Sequence, residues 1–265
     1  MLEPRSIPLD FTVAVSMVVA ALVCIGGPFL VAQLWRRRTG AAWNAFGWGM
    51  AVFVLFQVVL RLPWQVPLAH WARAHQPWRV PFIAFSALTA GLFEEVGRWA
   101  GYRTVLRSER SMRTGVMYGL GHGGIEAILF AGLPIASLLA GWFFAARGLI
   151  PPGHGLDVLR RQLGAVHVLN AALAVIERVS AMAAHVGLSL IVLQTFVRPS
   201  VRWLLLAVLI HAALDGTVLL AAPRLGAWTE VVAAVLAALI LLAGVGIARS
   251  PPQPWGDSLP RPSRG

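Results

Sequence analysis

The sequence predicts an all-α fold, a polytopic transmembrane helical bundle with about seven spans. Of its 265 residues, 58% are hydrophobic and only 12% are charged, and the mean hydropathy is +0.72. A soluble globular domain carries about 25% charged residues, so this chain lacks the side chains that would cover a water-exposed surface. Apolar segments of the length that crosses a hydrocarbon core, about 20 residues, recur seven times.

The predicted spans follow one another along residues 1–249, which we interpret as one transmembrane domain. The first apolar segment is about twice as long as that of a signal peptide, and Arg36-Arg37-Arg38 follows it, so we expect a retained anchor. The seven segments are Phe11–Leu34, Ala42–Leu60, Pro81–Leu106, Val116–Phe144, Asn170–Phe196, Trp203–Ala222 and Trp228–Ala248.

Three further segments are predicted to lie outside the spans. Arg61–Val80 mixes tryptophan with arginine and proline, a composition typical of chain that lies along lipid head groups. Gly153–Val168 is a second long connection of this kind. Residues 250–265 are rich in proline and polar residues and are predicted to form a disordered tail.

The basic residues are interpreted as topology signals. All 22 are arginine, and the net charge is +11, which in a soluble protein would suggest nucleic acid. Most of them flank apolar segments, where arginine marks the cytoplasmic side, so no nucleic-acid partner is expected. With the amino terminus outside, twelve arginines are cytoplasmic and eight, Arg61 among them, are not. The sequence therefore predicts a multi-pass cell-membrane protein with its carboxyl terminus in the cytoplasm.

Ten ionisable residues lie within the predicted spans. A charged side chain at mid-membrane costs about 2.5–3.5 kcal/mol on the insertion scale, so these residues are expected to face one another or water. They are Glu94, Glu95, Arg98, His122, Glu126, Glu177, Arg178, His185, His211 and Asp215.

The spacing of these residues predicts a single polar cluster. Side chains four residues apart share one helix face, and at about 1.5 Å rise per residue the histidines and glutamates of four helices fall at similar depth in the inner half of the bilayer. Glu177 and Arg178 come nearer the outer side and are interpreted as a separate structural pair. The pairs with four-residue spacing are Glu94 and Arg98, His122 and Glu126, and His211 and Asp215.

Such a cluster is suited to activating water for hydrolysis, because a carboxylate can act as a general base. Adjacent helix residues point about 100° apart, so one of Glu94 and Glu95 is expected to face water and the other to hold Arg98 or a backbone group. Three histidines and a glutamate also suit a catalytic zinc site, and its ligands would come from His122, His185, His211 and Glu126. A metal-free glutamic mechanism, with neutral histidines donating to an oxyanion, explains the same residues equally well, and an ion network that only holds helices together remains an alternative.

Three sequence elements together resemble the YhfC-type intramembrane peptidases, which are related to the CPBP group that includes the CAAX-processing prenyl proteases. That group carries an EExxxR element, an aromatic-xxxH element and an HxxxN or HxxxD element. Here the order is the same across residues 88–219, although arginine comes one residue early and the aromatic residue is Tyr118. The elements are Phe93–Arg98, Tyr118–Glu126 and His211–Asp215.

The resemblance implies an intramembrane endopeptidase. It implies that Glu94 or Glu95 acts with His122 to activate water and that Arg98 orients the glutamates. It further implies that His211 and Asp215 stabilise the oxyanion. The expected partners are membrane lipid and a membrane protein or peptide substrate.

Two other functions suit the same residues. A proton-coupled membrane transporter also places ionisable residues around a midplane cavity, although repeated halves and a pair of obviously broken helices are not visible in the sequence. A catalytically inactive membrane scaffold would keep the polar core for binding a partner, and only activity separates it from the peptidase.

Overall fold

The computed structural model describes residues 9–250, and over that range the chain is helical between short turns. Seven helical segments are long and apolar enough to cross a membrane, which confirms the predicted fold class and the number of spans. Apart from Ser250, the predicted tail 250–265 lies outside the described residues.

The described residues form ten α-helices, and a π-helical turn interrupts the second and fourth spans. The elements are α1 (Phe11–Thr39), α2 (Trp43–Phe53), a π-helical turn (Val54–Arg61), α3 (Leu62–Ala74), α4 (Arg79–Arg103), α5 (Met112–Ala127), a second π-helical turn (Ile128–Gly132), α6 (Leu133–Ala146), α7 (His154–Gly164), α8 (Val168–Val197), α9 (Arg202–Leu225) and α10 (Trp228–Arg249).

The ends of α1 follow from local sequence. Asp10 accepts hydrogen bonds from the backbone amides of Thr12 (2.8 Å) and Val13 (3.2 Å), which satisfies amides that lack a partner inside the helix. Gly40 ends the helix at a φ of +70°, a left-handed conformation that strains other residues. The first span therefore begins and stops where the sequence supplies caps.

The second span corrects the prediction for Arg61–Val80. Helix α3 continues the span to Ala74, so most of this segment is helical instead of an extended interfacial loop. Within the π-helical turn the buried side chains are Gln57 and Arg61, and Arg61 is only 3% exposed. The prediction that Arg61 lies in an outer loop is therefore wrong, because the turn carries it into the bundle. The other predicted loop, Gly153–Val168, likewise contains a helix, α7.

Helix α8 is the central helix of the bundle. Helices α5, α9 and α10 pack around it, and its residues 184–194 are buried. The approach of α5 is close, since a Cβ added at Gly119 would lie 2.6 Å from Val186 Cα. Small residues allow such backbone contact between membrane helices, and this contact brings His122 beside His185.

A second close approach joins α4 to α9. A Cβ added at Gly91 would lie 2.6 Å from the Val208 carbonyl oxygen, so these two backbones also touch. The contact places Glu94 and Glu95, one turn further along α4, beside His211 of α9.

Candidate active site

A buried cluster of carboxylates, imidazoles and one guanidinium lies where α4, α5, α8 and α9 meet. The ring centroids of His122 and His185 are 4.6 Å apart, and those of His185 and His211 are 5.5 Å apart. The structure thus brings the four helices' polar side chains together, as their spacing and depth predict. The members that are at most 5% exposed are Glu94, Glu95, Arg98, His122, His185 and His211.

The two adjacent glutamates have different surroundings. Glu95 accepts a hydrogen bond from His211 Nδ1 through Oε1 (2.7 Å), and its Oε2 lies 3.4 Å from Arg98 Nη1. Glu94 accepts a hydrogen bond from His122 Nε2 (3.0 Å) and lines a cavity. One glutamate therefore faces open space and the other holds Arg98, which agrees with the expectation from their 100° separation on the helix.

Arg98 determines the tautomer of His185. Its guanidinium donates to the His185 carbonyl oxygen (3.1 Å) and lies 3.1 Å from His185 Nδ1. Since a guanidinium has no acceptor, Nδ1 accepts and Nε2 carries the ring proton. That proton is donated to Glu126 Oε2 at 2.5 Å. Glu126 therefore reaches across to α8 instead of pairing with His122 on its own helix.

Glu177 and Arg178 belong to the same network. Arg178 donates to Glu126 Oε1 (2.9 Å) and also pairs with Glu177. Because Glu126 in turn holds His185, the prediction of a separate structural pair is wrong.

A cavity of about 360 Å³ opens beside the cluster. Its lining residues include Glu94, His185, His211 and Arg61. Asp215 also lines it, with its side chain 34% exposed and its Oδ2 3.7 Å from His211 Nε2. Within residues 9–250 the Asp215 carboxylate accepts no hydrogen bond, so its lone pairs are free to bind water or substrate.

Three of these side chains fit a metal ion. Glu94, His185 and His211 each offer a ligand atom, and these atoms lie within 4.8 Å of one another. Two imidazoles and a carboxylate form one of the donor sets of catalytic zinc, whose ligands stand about 3.4 Å apart at bond lengths of about 2.0–2.1 Å. A small inward movement of the three donors would reach that spacing.

The surroundings of His211 support this fit. Its Nδ1–H donates a hydrogen bond to Glu95, and metal-binding histidines commonly donate in this way to a carboxylate that does not itself bind the metal. Its Nε2 therefore carries a lone pair, and it lies 3.9 Å from Glu94 Oε2. His185 has both ring nitrogens engaged and would release one contact to bind a metal.

His122 and Glu126, the other predicted metal ligands, are outside this three-donor group, but each forms a hydrogen bond with one of its members. His122 binds Glu94, and Glu126 binds His185. His122 Nδ1 is buried and has no hydrogen-bond partner in the described part of the chain. Direct ligation by either residue stays a prediction.

Arg61, predicted to lie in a loop, is a further member of the cavity. Gln57, Arg61 and Gln65 all line it. These polar residues recur every four positions within an apolar segment, and that spacing, extended past Leu60, would have placed them on one helix face.

Comparisons with known proteins agree with this geometry. The profile of a family described as YhfC intramembrane metalloprotease matches residues 19–238. The chain is 30% identical to "Uncharacterized membrane protein YhfC" of Bacillus subtilis (strain 168) over 242 aligned residues. The aligned region covers 85% of this chain and 91% of that protein. No solved structure matches the chain significantly.

Proposed function

This chain belongs to the YhfC intramembrane metalloprotease family, and on that premise we propose that it hydrolyses peptide bonds of membrane proteins or peptides at the buried cluster. The metal would be held by Glu94, His185 and His211. The observation that carries the proposal is the convergence of these three ligand atoms within 4.8 Å at the wall of a cavity. The chemistry that a zinc ion supplies when bound is polarisation of the scissile carbonyl and activation of water.

Asp215 is proposed as the group that accepts the proton of the attacking water and returns it to the leaving amide nitrogen. A general base needs free lone pairs within reach of the reacting groups, and the Asp215 carboxylate is half-buried in the cavity without a hydrogen bond to the described protein. The other carboxylates beside the metal-binding group are engaged, since both oxygens of Glu95 and of Glu126 contact other side chains. This assignment differs from the family resemblance, which implies Glu94 or Glu95 as the water-activating residue.

Glu95, Arg98 and His122 are proposed to act as positioning residues. Glu95 orients the His211 ring, and Arg98 holds both Glu95 and His185. His122 fixes Glu94 from the opposite side. Each acts through a side chain that lines the cavity.

The cavity extends from the cluster toward the end of the bundle opposite Arg36-Arg37-Arg38, because Gln65 of α3 and Leu219 of α9 line it. With the amino terminus outside, as the arginine distribution predicts, substrate would enter from the outer side. Labelling of single cysteines introduced at Thr39 and Ala227, in a Cys24→Ala background, with a membrane-impermeant reagent on intact cells tests that orientation. Labelling at Ala227 alone is expected.

The proposed activity is tested by purifying the protein into nanodiscs, measuring bound metal, and incubating it with a library of apolar octapeptides. We expect one zinc per chain and peptide products by mass spectrometry. A chelator is expected to abolish cleavage, and added zinc to restore it.

Two variants and a control make the test specific. Glu94→Gln should lose zinc and activity together, while Asp215→Asn should keep zinc and lose activity by about 10²–10⁴-fold. Asp157→Asn, which alters an exposed carboxylate on α7, should retain both. Substrate flux without any cleaved product would favour the transporter, and zinc binding without either activity would favour the scaffold.

A further inference from the structure

Arg61 is a buried cation whose hydrogen-bond partners are all neutral. Its Nη2 donates to the Ser86 carbonyl oxygen (2.7 Å) and hydroxyl (3.2 Å), its Nη1 donates to Gln57 Oε1 (3.0 Å), and its Nε donates to Thr89 Oγ1 (3.3 Å). A guanidinium has five N–H donors, so these four contacts leave one free. The side chain is therefore held firmly in place without being saturated.

No carboxylate of the described chain lies within ion-pair distance of Arg61. Buried charges are otherwise paired or bound to metals, because an uncompensated charge away from water is costly. Arg98 and Arg178, the other two buried or nearly buried arginines of this region, each contact a carboxylate. Of these three arginines, Arg61 alone contacts no carboxylate; it interacts only at longer range with Glu94 and Asp215, which line the same cavity.

The cavity that Arg61 lines is the one that holds the proposed metal ligands. Ser86, which binds the guanidinium, precedes Glu94 on α4 by eight residues, or roughly 12 Å along the helix axis. An extended peptide covers about 3.3–3.6 Å per residue, so three or four residues would span the distance. A cavity of about 360 Å³ accommodates a short chain end of that size and not a whole helix.

We infer that Arg61 binds the free carboxyl terminus of the substrate, a few residues beyond the bond that is cut. Cleavage of that bond rests on the proposed function, whereas binding of a carboxylate at Arg61 does not depend on it. A terminal carboxylate supplies the missing counter-ion, and the apolar lining of Leu62, Leu214 and Leu219 suits the side chains that precede it. Arg61 would thereby determine where along a chain cleavage occurs.

Binding is measured first, since it does not depend on catalysis. The probes are N-acetyl-dileucine with a free carboxylate and the same compound as its carboxamide, titrated into the protein in phosphatidylcholine nanodiscs. We expect the acid to bind about 10- to 100-fold more tightly than the amide, the size expected for a hydrogen bond to a charged group. Equal affinity for the two probes, or no binding of the acid, overturns the inference without any variant.

Variants identify the residue responsible. Arg61→Met keeps side-chain length without charge and should remove the preference for the acid, and Arg61→Lys should retain part of it. Arg224→Gln is the matched control, because Arg224 is an exposed arginine at the same end of the bundle that does not line the cavity. Preference for the acid that survives in Arg61→Met contradicts the inference.

A lipid phosphate is the other anion within reach of a membrane protein. Repeating the titration in phosphatidylglycerol nanodiscs separates the two sources, because a phosphate bound at Arg61 would compete with the acid and abolish its preference. That result would overturn the assignment to a peptide carboxylate, and an unchanged preference supports it. If the acid binds selectively but no library peptide is cut, the carboxylate site stands and the proposed peptidase activity fails.

Discussion

Two buried arginines lie near Glu94, His185 and His211, and their surroundings differ. Arg98 is completely buried and pairs with Glu95, which in turn orients His211. Arg61 is 3% exposed and contacts only neutral groups, at the wall of the same cavity. Within a membrane a buried charge marks either a structural pair or a functional site. We propose that the two arginines are one example of each, and a contacting carboxylate distinguishes them.

The largest expected effect is on stability. Replacing Arg98 by methionine leaves the buried Glu95 carboxylate without a cation, held only by the His211 hydrogen bond, and breaking such a buried pair costs about 3–5 kcal/mol. Arg61→Met breaks hydrogen bonds to neutral groups only and leaves no contacting carboxylate behind, so we expect a smaller loss of about 1–2 kcal/mol. Thermal unfolding in detergent, followed by tryptophan fluorescence, compares the two variants. Equal losses would contradict the distinction between a structural and a functional arginine.

The pairing of Arg98 with Glu95 predicts partial rescue. Adding Glu95→Gln to Arg98→Met removes the buried negative charge that has lost its guanidinium, so the double variant should regain stability relative to the single one. Contacting residues in such cycles couple by about 0.5–3 kcal/mol, and a double-mutant cycle on the unfolding midpoints measures the value. Additive losses would indicate that Arg98 acts through the His185 contacts alone.

A smaller effect is expected on zinc affinity. Glu95 accepts the Nδ1 proton of His211, and loss of such outer-shell contacts lowers metal affinity by about 10–100-fold. Glu95→Gln should therefore weaken zinc binding, measured by competition with a chromophoric chelator, whereas Arg61→Met should leave it unchanged. A parallel loss in both variants would show that Arg61 supports the metal site instead of the substrate.

The smallest expected effect on stability is that of replacing Arg178, which pairs with carboxylates as Arg98 does but is more exposed. Its side chain is 11% exposed and pairs with Glu126 and Glu177, so water partly replaces lost contacts. Pairs with access to solvent contribute about 1 kcal/mol or less, and Arg178→Gln should lower the unfolding midpoint much less than Arg98→Met. A loss as large as that of Arg98→Met would mean that Arg178 is structurally equivalent to it.

The course of the chain was predictable for a physical reason. Lipid leaves no alternative to apolar helices whose backbone groups bond internally, so seven apolar segments predict seven spans. The same reasoning singled out Glu94, Glu95, Arg98, His122, His185 and His211, because ionisable residues are expensive in that solvent. Both expectations agree with the structure, including their convergence on one cluster.

The partners of each side chain were beyond such reasoning. Spacing suggested that His122 pairs with Glu126 on one helix, but each instead reaches another helix, His122 to Glu94 and Glu126 to His185. Periodicity describes which face a residue occupies and not how neighbouring helices rotate and approach, which depends here on contacts such as Gly119 against Val186.

Arg61 is a residue whose position the sequence predicts wrongly and only the structure reveals. Its position at the end of an apolar run resembles an ordinary loop arginine, and composition alone supports that interpretation. In the structure Arg61 instead ends the π-helical turn Val54–Arg61, lines the cavity and contacts Ser86 and Thr89 of α4. The amino-acid order thus establishes a membrane bundle and its set of ionisable groups, whereas only the folded arrangement decides which of those groups contact one another and which line the cavity, because packing sets the distances between them.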